Sequence, residues 1–65
     1  MPSHSVTRLR TSDEMDRIQH LEQLRQMVIA YLEAKFRDED WHGVCDAATD
    51  LREIDAELRG IRGRT

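Results

Sequence analysis

The densest run of chemically able side chains is Asp40-Trp41-His42-Gly43-Val44-Cys45-Asp46. His42, Cys45 and Asp46 stand at i, i+3 and i+4, which on a helix turns an imidazole, a thiol and a carboxylate toward one point, as a metal ion would need. A structural zinc site takes four ligands at recognisable spacing, and no second cluster is present to complete one. Cys45 and His42 also have the composition of a nucleophile and its base. Two residues on one short helical segment leave no third group to orient the base and no glycine-rich turn to hold an oxyanion. The simpler reading makes Cys45 a small, partly buried filler and His42 a solvent-facing residue of a first helical turn. No Walker-type loop, GxGxxG, CxxC or HExxH occurs. The chain is therefore expected to be non-enzymatic, with no catalytic residue, metal ligand or cofactor.

Charge supplies the second candidate surface. The 65 residues carry 10 Lys+Arg against 13 Asp+Glu, a net −3. Arg8 and Arg10 make the first ten residues +2, and Arg59, Arg62 and Arg64 make the last seven +3. All 13 acids lie between, against five bases, so the body is −8. Asp46, Asp50, Glu53 and Glu57 recur as an acidic ridge, in which Asp46/Asp50 and Glu53/Glu57 are unfavourable i,i+4 pairs. Asp55/Arg59 and Glu33/Arg37 are their favourable counterparts. Such a ridge is either a solvated face or a surface that docks on a basic patch. Nucleic-acid binding would fall to Arg8, Arg10, Arg62 and Arg64 in the tails, with no aromatic platform beside them and an acidic body repelling phosphate.

The elements that must position these residues are two helices. Residues 1–10 hold Pro2, Ser3, Ser5 and Thr7 with no regular period, and read as a mobile tail. Thr11-Ser12-Asp13-Glu14 fits a capping box, and Asp13, Glu14 and Asp16 suit the positive end of a helix dipole. No Gly or Pro follows until Gly43. Ile18, Leu21, Val28, Leu32 and Phe36 fall within about 80° of arc at helical period, Leu24, Met27 and Tyr31 widen the stripe on one side, and Ile29 widens it on the other. That apolar surface is wider than one partner helix can cover. Asp38-Glu39-Asp40 reads as a turn, with Asp40 as N-cap of a second helix starting at Trp41. There Val44, Ala47, Leu51, Ile54, Leu58 and Ile61 follow 3-4-3-4-3 spacing, a heptad-like seam. Trp41 is expected against Phe36 or Leu32, closing the hairpin end. Gly43 costs about 1 kcal/mol against alanine, which points to a close approach of another backbone or a ligand.

The predicted architecture is all-α: an antiparallel two-helix hairpin over about 12–37 and 41–59, with Gly60 and Gly63 as candidate terminators and a hairpin domain over 11–62. Ile18, Leu21, Val28, Leu32, Phe36, Val44, Leu51, Ile54 and Leu58 are its expected core or dimer contacts. A chain this short falls below the ~70–80 residues at which one core suffices comfortably, and the single Cys45 allows no internal disulfide. Self-association is expected, most simply as a two-fold homodimer forming a four-helix bundle. No apolar run reaches the ~18–20 residues of a membrane span and no signal peptide is evident. A soluble protein of a reducing, cytoplasmic compartment, without membrane contact, is the expectation.

The stretch from Asp40-Trp41-His42-Gly43-Val44 through Asp46-Ala47-Ala48 to Asp50-Leu51-Arg52-Glu53 resembles a motif of small phage and prophage proteins of unassigned function, over about residues 28–58. The resemblance implies a phage-encoded accessory protein made in a bacterial cytoplasm, and it supplies no catalytic residues. In architecture the hairpin is similar to helical inhibitors that cap host regulators and to helical sponges that sequester cyclic nucleotides. The leading expectation is stoichiometric binding to a host protein through Trp41, His42, Asp46, Asp50 and Glu53, with Trp41 as aromatic anchor and the carboxylates steering a basic partner. The second is an oligomeric sponge for an anionic cyclic nucleotide, with Arg25, Lys35, Arg37 or Arg52 on phosphates and Trp41 or Tyr31 stacked on a base. The third is a nucleic-acid-binding regulator.

Overall fold

A computed structural model describes residues 11–63 and contains two helices, α1 (Ser12–Arg37) and α2 (Trp41–Arg62), folded back on each other as a helical hairpin. The tail expected over residues 1–10 lies outside the described residues. α1 starts where its capping box predicts. The Glu14 amide donates to the Thr11 hydroxyl at 3.1 Å and the Thr11 amide donates to the Glu14 carboxylate at 3.1 Å. Two helix-end donors are thereby satisfied reciprocally.

The turn is a Schellman motif. The Asp40 amide donates to the Lys35 carbonyl at 2.9 Å and the Glu39 amide donates to the Phe36 carbonyl at 3.0 Å. That geometry needs a left-handed residue after the cap, and Glu39 occupies it with φ 59°. Glycine takes this position without the steric cost a Cβ brings, so a glutamate here is strained.

The seam is the predicted one, shifted toward the open end. Leu21 (2% exposed), Ala47 (1%), Ile54, Leu58 and Ile61 are buried, and Ile18, Leu24 and Val28 pack against them half-buried. Leu32, Val44 and Leu51 are also half-buried. Two expectations are corrected. α2 does not stop near residue 59: it runs through Gly60 to Arg62 and is capped by Gly63. Burying Ile61 on α1, with Arg62 paired to Glu22, holds the last turn in place. Phe36, expected as a core or dimer contact, is not in the core of the hairpin: it is 59% exposed and meets Trp41 near the turn.

Three salt bridges cross the seam: Arg17–Glu57 at 2.5 Å, Arg25–Asp55 at 2.7 Å, and Arg62–Glu22. All three are part-exposed and contribute roughly 0.2–1 kcal/mol each. A cross-helix partner displaces one predicted local pair, since Asp55 takes Arg25 rather than Arg59, and Glu33 and Arg37 form no ion pair among the described residues.

Candidate docking surfaces

At 100° per residue the buried seam of α2 leaves a flank on either side. His42, Asp46, Asp50, Glu53 and Glu57 occupy one. Trp41, Val44, Ala48 and Leu51 occupy the other, within about 80° of arc. The five residues expected to form one contact surface are therefore divided. His42, Asp46, Asp50 and Glu53 come together, while Trp41 lies about 100–180° around the helix from them.

The acidic flank faces the Leu24 side of α1. Arg17, Leu21, Leu24 and Val28 share a shallow groove with Asp50, Glu53, Ile54 and Glu57. Met27 and Tyr31, three and seven residues beyond Leu24, extend that side of α1 and are 68% and 51% exposed. Glu57 is held by Arg17 and Asp46 stands 3.5 Å from the solvent-exposed His42 imidazole. Asp50 and Glu53 have no ion-pair partner among the described residues. The result is a strip of carboxylates beside a strip of exposed thioether and phenol.

The opposite flank gathers around two aromatic rings. Phe36 and Trp41 meet edge to face, centroids 5.7 Å apart at 86°, a favoured arrangement for their quadrupoles. Trp41 closes the hairpin end as its position predicts, yet it stays 56% exposed. Half-buried Ile29, Val44, Ala48 and Leu51 continue the patch along both helices.

The turn that joins the flanks is tightly built. The Asp40 carboxylate accepts from the Gly43 amide at 3.0 Å and stands 3.5 Å from Lys35 Nζ, which in turn lies 5.2 Å from the centre of the Tyr31 ring. The Gly43 amide, joined by the Lys35 ammonium, holds the Asp40 carboxyl below the usual carboxylate range against a smaller opposing effect of burial. Gly43 has a cause other than the expected one. A Cβ there would lie 2.9 Å from both Cγ and Cδ of Lys35, so the group in close approach is the lysine stem.

The metal reading of His42, Cys45 and Asp46 finds no geometry: among the described residues no group of three potential ligands converges. Cys45 is exposed rather than partly buried, pointing off the seam. The largest surface depression is walled by Gln19, Glu22, Arg25, Asp55, Arg59 and Arg62, and most of its charges are already paired. Among the described residues no helix is long and apolar enough to cross a membrane.

Much of the Asp40–Glu53 motif is thus accounted for by folding. Asp40 caps, Gly43 admits Lys35, Ala47 fills the seam, and Leu51 borders it. Trp41, His42, Asp46, Asp50, Arg52 and Glu53 remain exposed, and none of them belongs to the buried seam. Met27, on the widened side of the α1 stripe, is the most exposed of the large apolar side chains at 68%. No protein-family model matches the chain, and no curated protein or solved structure does.

Proposed function

We propose that the chain is a non-enzymatic binding protein, of the kind that small phage-encoded accessory proteins represent, acting stoichiometrically on a bacterial host protein in the cytoplasm. Its docking surface is the acidic flank, and its target is a basic segment with an apolar face. One observation carries this reading: Asp50 and Glu53 share a groove with Leu24 and Val28, on the side of α1 that the 68% and 51% exposed Met27 and Tyr31 extend. Carboxylates next to uncovered apolar side chains suit an amphipathic basic helix laid along the hairpin, with the charges accelerating encounter and the apolar strip supplying contact area. Self-association through the other flank leaves this one accessible.

The nucleotide-sponge reading is weaker. Two of its four expected phosphate ligands are engaged, Arg25 by Asp55 and Lys35 by Asp40. Nucleic-acid binding loses Arg62 to Glu22, while Arg8, Arg10 and Arg64 lie outside the described residues.

Affinity capture from bacterial lysate tests the proposal. Wild-type chain retains a host protein that Asp50→Arg and Glu53→Arg lose, with helicity unchanged in both variants. Retention of the same proteins by all three chains removes the acidic flank as the docking surface.

A further inference from the structure

The flank around Phe36 and Trp41 has a charge pattern that selects its own occupant. Arg52 and Arg59 lie within about 20° of the Trp41 azimuth on α2, and neither has an ion-pair partner among the described residues. At the turn end of the same patch, Glu33, Arg37, Asp38 and Glu39 are exposed, a net −2. Glu39 keeps its carboxylate at a left-handed φ of 59°, where glycine would relieve strain. The patch is therefore acidic at one end, basic at the other and apolar between.

We propose that a second copy of this chain covers this flank, in an antiparallel two-fold arrangement that sets the Asp38–Glu39 turn of each copy against Arg52 of the other, with Arg59 about 10 Å further along the helix adding to the positive end. The apolar part of α2 runs from Trp41 to Leu51, about 15 Å at the helical rise. A two-fold axis at its midpoint, near residue 46, brings Arg52 level with the turn of the opposite copy. A parallel pairing would instead place acids on acids and arginines on arginines, which is strongly disfavoured. Exposed Phe36 and Trp41 alone offer roughly 250 Å² per copy, about a third of the ~800 Å² that a stable contact buries on each side. Ile29, Val44, Ala48, Leu51 and the flanking stems add to it. The contact is isologous, so it closes at two copies and forms no fibre. This inference deepens the self-association in the proposed function and rests on that part of it, while remaining independent of the acidic flank.

A charge-swap experiment on the full-length chain tests it. One variant carries Asp38→Lys and Glu39→Lys, the other Arg52→Glu and Arg59→Glu. None of these four side chains takes part in the seam, and circular dichroism checks that both variants stay helical. By sedimentation equilibrium, each variant alone self-associates about tenfold or more weakly than wild type, and an equimolar mixture recovers the dimer because every turn again faces an opposite charge. Wild-type dimers with variants that associate equally well, or a mixture that fails to recover, overturn the interface while leaving self-association standing. A folded wild-type monomer at micromolar concentration overturns both.

Discussion

Replacing each helical glycine of α2 by alanine separates an intrinsic effect from a packing effect within one helix. Gly60 has no atom within 4 Å of a built Cβ, whereas a Cβ at Gly43 meets Lys35 Cγ and Cδ at 2.9 Å and Asp40 Oδ2 at 3.1 Å. Alanine in place of glycine favours a helix by up to about 1 kcal/mol. Gly60→Ala is expected to realise most of that, raising Tm by several degrees, since 1 kcal/mol corresponds to about 4–8 °C in a domain of this size. Gly43→Ala gains the same propensity but must push aside a lysine stem whose ammonium sits 3.5 Å from Asp40 and 5.2 Å from the Tyr31 ring centre. Overpacking of that kind costs roughly 1–3 kcal/mol, so the net change runs from neutral to about 2 kcal/mol destabilising. Removing the stem by Lys35→Ala should restore the benefit of Gly43→Ala, giving a coupling of about 1–2 kcal/mol in a double-mutant cycle. Urea denaturation at one fixed protein concentration reads all of these. If Gly43→Ala stabilises the chain as much as Gly60→Ala does, with no coupling to Lys35, the packing assigned to the turn is wrong.

Four further outcomes follow from the same geometry. Asp40 has its folded pKa lowered, chiefly by the Gly43 amide, so its contribution is present above the unfolded value of about 3.9 and is lost as pH falls through the lower folded value. The stability difference between wild type and Asp40→Asn should shrink on titration from pH 7 through that window, and a constant difference would contradict the assignment. Leu21→Ala removes a side chain only 2% exposed and should cost about 2–5 kcal/mol, enough to abolish helicity in so small a domain. Phe36→Ala, at a position 59% exposed, should weaken self-association and move the loss of helicity on dilution to higher protein concentration, as sedimentation and circular dichroism would show. Glu39→Gly should stabilise the hairpin by up to about 1 kcal/mol by relieving the left-handed backbone, and in the proposed dimer it should also weaken the contact between copies.

The legible parts of the fold were those set by local chemistry. Thr11 and Glu14 announced the start of α1, Asp40 the start of α2, and the spacing of Ala47, Ile54, Leu58 and Ile61 the buried seam. The illegible parts depended on which residues oppose each other across the hairpin. Arg25 has Glu22 three residues before it on the same helix, and only the register gives it Asp55 instead. Gly60 has the appearance of a terminator because its cost is local, while the burial of Ile61 that outweighs it is tertiary. Gly43 showed that something approaches closely without showing that it is Lys35. For the site, the acidic ridge was readable from spacing alone. Its separation from Trp41 was not, because adjacency of Trp41 and His42 in sequence conceals the 100° between them.

The two proposals divide along that separation, assigning the acidic flank to a basic partner and the Trp41 flank to a second copy of the chain. Both depend on the hairpin being incomplete by itself: Met15, Met27, Tyr31, Phe36 and Trp41 are all more than half exposed, on a body whose buried apolar core consists of Leu21, Ala47, Ile54, Leu58 and Ile61. Sedimentation equilibrium of the full-length chain at micromolar concentration, read together with its circular dichroism, addresses that directly. The account predicts a helical species of twice the 7.6 kDa chain mass, dissociating with loss of helicity on dilution. A fully helical, cooperatively melting monomer across the same range would contradict it.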